Sequence, residues 1–125
     1  MLSNHFMLKG VIAFFILIAL DIPWLTIQLA ASQKMFSEIQ GGRAVQMRFL
    51  PAIVVYIALT YLLLLQKTVT EAFLSGAAVY AVYDFTNLTV FKDYTLAFAV
   101  ADTLWGGVLF SLAHLILDRL PFFPK

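Results

Sequence analysis

The sequence predicts an all-α fold, a four-helix transmembrane bundle, and three observations predict it. Of its 125 residues, 62% are hydrophobic and only 12% charged, against about half and about a quarter in soluble domains. Four apolar segments approach the ~20 residues that a helix needs to cross the hydrocarbon core. Short polar turns join the last three, which makes those helices antiparallel neighbours. Eight basic and seven acidic side chains cannot cover a water-facing surface of this size, whereas lipid can.

Residues 1–125 read as a single domain. The first helix is expected over about Met7 to Ala30. It is longer than the ~7–15 residues of a signal h-region and holds Asp21 and Pro23, so it reads as a retained helix. Residues 31–48 carry Lys34, Glu38, Gly41, Gly42, Arg43 and Arg48 and are expected as a loop outside the membrane. Within it, Met35, Phe36 and Ile39 recur at near-helical spacing, which predicts a short amphipathic helix along the interface that Gly41-Gly42 ends. The second helix is placed at Phe49 to Gln66, the third at Ala72 to Phe91 and the fourth at Tyr94 to Leu117. Gln66-Lys67-Thr68 and Lys92-Asp93 form the turns, and Pro121 and Pro124 stop the last helix.

The same composition excludes several functions. A formal charge of +1 with scattered Lys and Arg argues against nucleic acid as a partner, because such binding needs a basic cluster. The absence of cysteine removes disulfides, thiolate nucleophiles and Cys-based zinc sites. His5 and His114 are too few for a histidine metal cluster. With the N-terminus on side A, Lys9, Lys67, Arg119 and Lys125 share that side and Lys34, Arg43, Arg48 and Lys92 take side B. The tie leaves orientation unset by basic residues.

What demands explanation is carboxylate inside the membrane, since an ionised Asp at the bilayer centre costs at least about 2.5 kcal/mol. Asp21, Asp84 and Asp102 lie in helices one, three and four, all about 10–14 Å below the side B ends of the expected helices at 1.5 Å per residue. Helical spacing gathers further polar and aromatic groups at that level: Trp24 and Gln28 in helix one; Gly76, Tyr80, Tyr83 and Asn87 in helix three; Trp105 and Gly106 in helix four. Helix two adds Tyr56 and Thr60, one turn apart. Small residues, Gly76, Ala77, Gly106, Gly107 and Ser111, allow helices three and four to approach closely. Pro23 frees the carbonyl of Ala19, near Asp21.

Two readings of the carboxyls stand side by side. As polar glue they would hydrogen-bond to Tyr, Thr, Asn and Trp, but interhelical hydrogen bonds in membranes return only about 0.6 kcal/mol on average. As a site they would bind a proton, a cation or a small substrate, because neighbouring carboxylates in low dielectric cannot all be charged without a countercharge. A metal held by Asp21, Asp84 and Asp102 is one form of that site. The candidate binding residues are Asp21, Asp84, Asp102, Asn87, Tyr56, Thr60, Tyr80, Tyr83, Trp24 and Trp105.

Two internal similarities accompany this layer. Asp21-Ile22-Pro23-Trp24 and Asp102-Thr103-Leu104-Trp105 share Asp-x-x-Trp, and Phe49-Leu50 to Val55-Tyr56 matches Phe73-Leu74 to Val79-Tyr80. Helix one thus resembles helix four and helix two resembles helix three, which is not the pairing of a tandem duplication.

On these residues the chain resembles a family of small, mainly bacterial, four-helix membrane proteins catalogued as a domain of unknown function. The resemblance rests on Asp-x-x-Trp-Leu (Asp21, Trp24, Leu25), Tyr-x-x-Tyr-Asp-x-Thr-Asn (Tyr80, Tyr83, Asp84, Thr86, Asn87) and Asp-x-x-Trp-Gly (Asp102, Trp105, Gly106). It implies a multi-pass protein of the bacterial inner membrane with both termini cytoplasmic. Pro23 and a short loop between helices one and two depart from the family pattern.

The first functional reading is a small channel or carrier for a cation, a proton or a small molecule. A bound cation is the one cofactor it suggests. Four close-packed helices leave little central space, so a path through the protein needs an oligomer or a cavity open to side B. A lipid-modifying enzyme or its membrane subunit is an alternative, for which the chain offers carboxylates but no recognisable nucleophile. An assembly protein is the other. The expected partners are the lipid bilayer and either further copies or another membrane protein.

Overall fold

The computed structural model describes residues 4–121, and Pro124 and Lys125 lie outside them. Four helices follow in order, α1 (Asn4–Ile39), α2 (Phe49–Leu64), α3 (Val69–Val90) and α4 (Leu96–Arg119), with no strand among the described residues. The fold is all-α.

The first helix differs from expectation. Residues 31–39, read as loop, continue α1 without a break. The amphipathic stretch therefore does not lie along the interface as a separate helix. Met35 is buried against Tyr94 and Ala99, with Phe36, Ile39, Leu88 and Phe98 packed around them. The last turns of α1 thus cap the α3–α4 turn, and burying Met35 and its neighbours favours continuing the helix. At 36 residues, α1 is about 54 Å long and exceeds the ~30 Å hydrocarbon core. Its end comes at Gly41 and Gly42, with φ of 75° and 86°, a backbone conformation that side chains disfavour. Pro23 sits inside α1 on its exposed face.

The other boundaries have local causes. Thr68 caps α3 by accepting from the Glu71 N–H at 3.1 Å, while the Glu71 carboxylate accepts from the Lys67 N–H at 2.9 Å, a variant of the capping box. Thr95 caps α4 through the Phe98 N–H at 3.2 Å.

Packing makes α4 the hub. Its contact with α3 is the most extensive, α1 packs on α2 and α4, and α2 touches α3 and α4 only lightly. The α3–α4 interface is set by glycine. A Cβ on Gly76 would strike the Gly106 carbonyl and the Phe110 side chain; one on Gly107 would meet the Phe73 ring at 2.7 Å. The backbones therefore meet directly, as small residues permit in membranes. Ala13, Leu17, Leu59, Leu63, Ala72, Leu109, Phe110, Ala113 and Leu117 form the core toward side A.

Outside this core the helices display a belt of apolar side chains. Phe15 and Ile27 of α1, Leu50 and Ile57 of α2, Leu74 and Val82 of α3, and Leu104 and Leu112 of α4 are exposed. Such coverage far exceeds the patches that water-soluble monomers leave open. Helices α1 and α4 are long and apolar enough to cross a bilayer, and α2 is a shorter apolar helix of 16 residues.

Candidate functional site: a crossed aspartate and tryptophan layer

Asp21, Asp84 and Asp102 are all buried, Asp84 completely. Their partners divide them into two different environments.

Asp21 and Trp24 sit three residues apart on one face of α1, as Asp102 and Trp105 do on α4. Antiparallel packing reverses the order of the second pair, so each Asp faces the other helix's Trp. The Trp105 indole donates to Asp21 Oδ1 at 2.7 Å, and the Trp24 indole donates to Asp102 Oδ1 at 2.8 Å. Between them the rings stack with centroids 5.5 Å apart and planes 17° off parallel. Two tryptophans usually found at a membrane surface here serve as interior donors.

The Tyr56 hydroxyl of α2 donates to Asp21 Oδ2. Both Asp21 oxygens thus accept from neutral donors on other helices, and the carboxyl ties α1 to α2 and α4.

Asp84 is placed differently. Its Oδ1 accepts from the Tyr94 hydroxyl at 2.5 Å. Burial, and then the Asp84 carboxyl itself, push the Tyr94 phenol in the α3–α4 turn above its usual range, so it stays a donor. The second oxygen, Oδ2, is buried without a hydrogen-bond partner, and so is the Thr103 hydroxyl. Asp102 and Thr103 of α4 stand beside Asp84 and are the α4 groups that interact with its carboxyl. Buried polar atoms without partners are rare in native structures and call for an explanation.

Among the described residues, no cation is found acting on these acids. The charged and titratable groups acting on Asp21, Asp84, Tyr56, Tyr80, Tyr83 and Tyr94 are one another and Asp102. Two carboxyls side by side out of water are stable only when a proton or another positive charge joins them. Among the described residues, no three His, Cys, Asp or Glu side chains converge closely enough to hold a metal ion.

The remaining expected residues fall at varied distances from this layer. Tyr80 packs against Gly106 within reach of the charges of Asp21, Asp102 and Asp84. Asn87 lies beside Tyr83 and Tyr94. Tyr83 stands largely exposed on the outer face of α3, because its neighbour Asp84 takes the inward position and one residue turns a helix by about 100°. Thr60 is buried, but its hydroxyl donates at 2.7 Å to the Tyr56 carbonyl of its own helix. Tyr94 and Thr103 belong to the layer without having been expected there. The Asp-x-x-Trp repeat was the available signal for the crossed bonds, since two such motifs on antiparallel helices can satisfy each other.

A groove of about 340 Å³ runs between the side B half of α1 and the start of α4. Its wall includes Trp24, Gln28, Met35, Phe98 and Ala101. Trp24, the donor to Asp102, stands in this wall.

With this geometry in place, comparison with known proteins adds one finding. Residues 6–117 match the family described as "Predicted membrane protein (DUF2177)", and the chain belongs to that family. No curated protein and no solved structure compared with it matches. The protein is a small helical membrane protein, and its surroundings are a lipid bilayer.

Proposed function

We propose that this member of a membrane-protein family is a small channel or carrier that binds positive charge, in the first instance a proton, at Asp84 and Asp102. The observation that carries the reading is the completely buried Asp84 carboxyl, which has a second acid, Asp102, beside it. Hydrogen bonds from neutral donors do not by themselves balance two neighbouring acids, which together call for a positive charge. Intramembrane acids facing the bundle interior commonly mark ion or proton pathways.

The roles follow from the contacts. Asp84 and Asp102 form the charge-binding pair. Tyr94 and Trp24 each hold one oxygen of one acid and thereby fix the orientation of the pair. Asp21, with Tyr56 and Trp105, is the joint that keeps α1 and α2 against α4. The α1–α4 groove supports access from side B, and the family resemblance favours a bacterial inner membrane with cytoplasmic termini. Completion of a path across the membrane is assigned to further copies of the chain, because the core toward side A is closed by Leu17, Leu63, Leu109 and Phe110.

The test is ion flux into liposomes carrying the purified protein, with a pH-sensitive dye inside. Wild-type protein should dissipate an imposed proton or cation gradient, and Asp84→Asn and Asp102→Asn should reduce the flux to that of empty liposomes. Wild-type protein that is folded and leaves every gradient intact would contradict the proposal.

A further inference from the structure

We infer that the α1–α4 groove binds a hydrophobic organic cation, a small amine or quaternary ammonium compound, whose charge replaces the proton held by the Asp84–Asp102 pair. The inference rests on the reading of that pair as the charge-binding site and names what competes for it.

The groove connects to both acids through one aromatic contact each. Trp24 in its wall donates to Asp102. Phe98 in its wall stands edge-on to Tyr94 at 5.5 Å, and Tyr94 donates to Asp84. A ligand seated there touches Trp24, which holds Asp102, and Phe98, which packs on the Tyr94 that holds Asp84.

The chemistry of the wall selects the ligand. Ile27, Ala31, Met35, Ala97 and Ala101 offer an apolar surface, Gln28, Ser32 and Thr95 add neutral polar groups, and no Lys, Arg or His lines the groove to balance an anion's charge. Aromatic faces attract cations, the more so when water is excluded, and the two acids behind them add attraction that low dielectric strengthens. The volume of about 340 Å³ lies at the small end of ligand pockets, about 300–1,000 Å³. The unbranched Met35 side chain can adjust to the ligand's outline.

Charge balance fixes the consequence. The titratable groups that interact with the pair are Asp21 on α1, Tyr80 and the more outward Tyr83 on α3, and Tyr94 in the turn, with Tyr56 of α2 one step away on Asp21, and none of them is a cation. When the cation enters, the proton leaves the carboxyl pair for water on side B, and the positive charge at the site is unchanged. Cation binding therefore weakens as pH falls, because protons compete for the same carboxyls.

Phenyltrimethylammonium is a suitable probe, with tert-butylbenzene as its uncharged carbon isostere. The two tryptophans of the chain both belong to the layer, so their fluorescence reports binding to detergent-purified protein, and a pH dye in weak buffer reports proton release. The cation should bind at least about tenfold more tightly than the isostere, release a proton, and bind more weakly at lower pH. Asp102→Asn should abolish the preference. Ala31→Leu fills the groove from an exposed position and should weaken binding without unfolding the protein. Equal affinity for cation and isostere, cation binding without proton release, or binding indifferent to Ala31→Leu would overturn the inference. Absent cation binding by protein that still carries proton flux sinks the inference and leaves the proposed function standing; loss of both sinks both.

Discussion

Asp21 and Asp102 share a local sequence, a depth and a mode of bonding, since each accepts an indole N–H from the opposite helix. Their other neighbours separate them. Asp21 receives a second donor from Tyr56, whereas Asp102 has beside it Asp84, an acid with an unpartnered oxygen. A carboxyl whose two oxygens both accept from other helices joins those helices. A carboxyl facing another carboxyl must bind something positive. The same motif thus serves as a joint at one end of the Trp24–Trp105 stack and as part of a charge-binding site at the other.

Substitutions can break this comparison, and the largest effect is expected at Asp84. Asp84→Asn keeps an oxygen for the Tyr94 hydroxyl but cannot exchange a proton, so liposome flux should vanish while helix content by circular dichroism is retained. Flux that survives would place the site elsewhere.

Next in size is Gly106→Val, which pushes the Tyr80 ring and the Gly76 carbonyl away from α4. Overpacking of this kind costs about 1–3 kcal/mol, read as easier unfolding in mixed detergent micelles. Flux should fall with it, because α3 carries Asp84 away from Asp102.

The converse behaviour is expected of Asp21→Asn, which disturbs a joint. It should destabilise the protein by about 1–2 kcal/mol and leave the flux of the folded fraction unchanged. Unchanged stability with lost flux would show that the two acids had been assigned in the wrong order.

The smallest and sharpest contrast lies between the tryptophans. Trp24→Phe and Trp105→Phe each keep an aromatic ring and remove one hydrogen bond, at a cost of about 0.6 kcal/mol. Only Trp24→Phe should alter the pH dependence of flux, since only Trp24 holds a member of the acid pair.

Much of this arrangement was legible in the sequence. The apolar segments announced a helical membrane protein, and Asp21, Asp84 and Asp102 could be placed in one layer because helical rise is constant. The contacts within the layer were less accessible. Which ring faces which acid depends on the rotation and register of α1 against α4, which tertiary packing sets. Tyr83 and Thr60 show the same limit: a helix face is wide, and one side chain points outward while the other bonds its own backbone. Lys34 and Glu38 cannot remain in lipid, which gives residues 31–39 the look of a loop, yet a helix need not end where the membrane does. By sequence Tyr94 falls at the start of a helix, where nothing local announces that a turn will bring it back to Asp84.

The most direct measurement is the infrared difference spectrum of the protein in lipid between high and low pH, which isolates the carbonyl stretch of protonated carboxyls. Wild-type protein should show a band from a buried carboxylic acid that both Asp84→Asn and Asp102→Asn remove and Asp21→Asn preserves. A band that disappears only in Asp21→Asn, or survives all three substitutions, would contradict the assignment of an exchangeable proton to the Asp84–Asp102 pair.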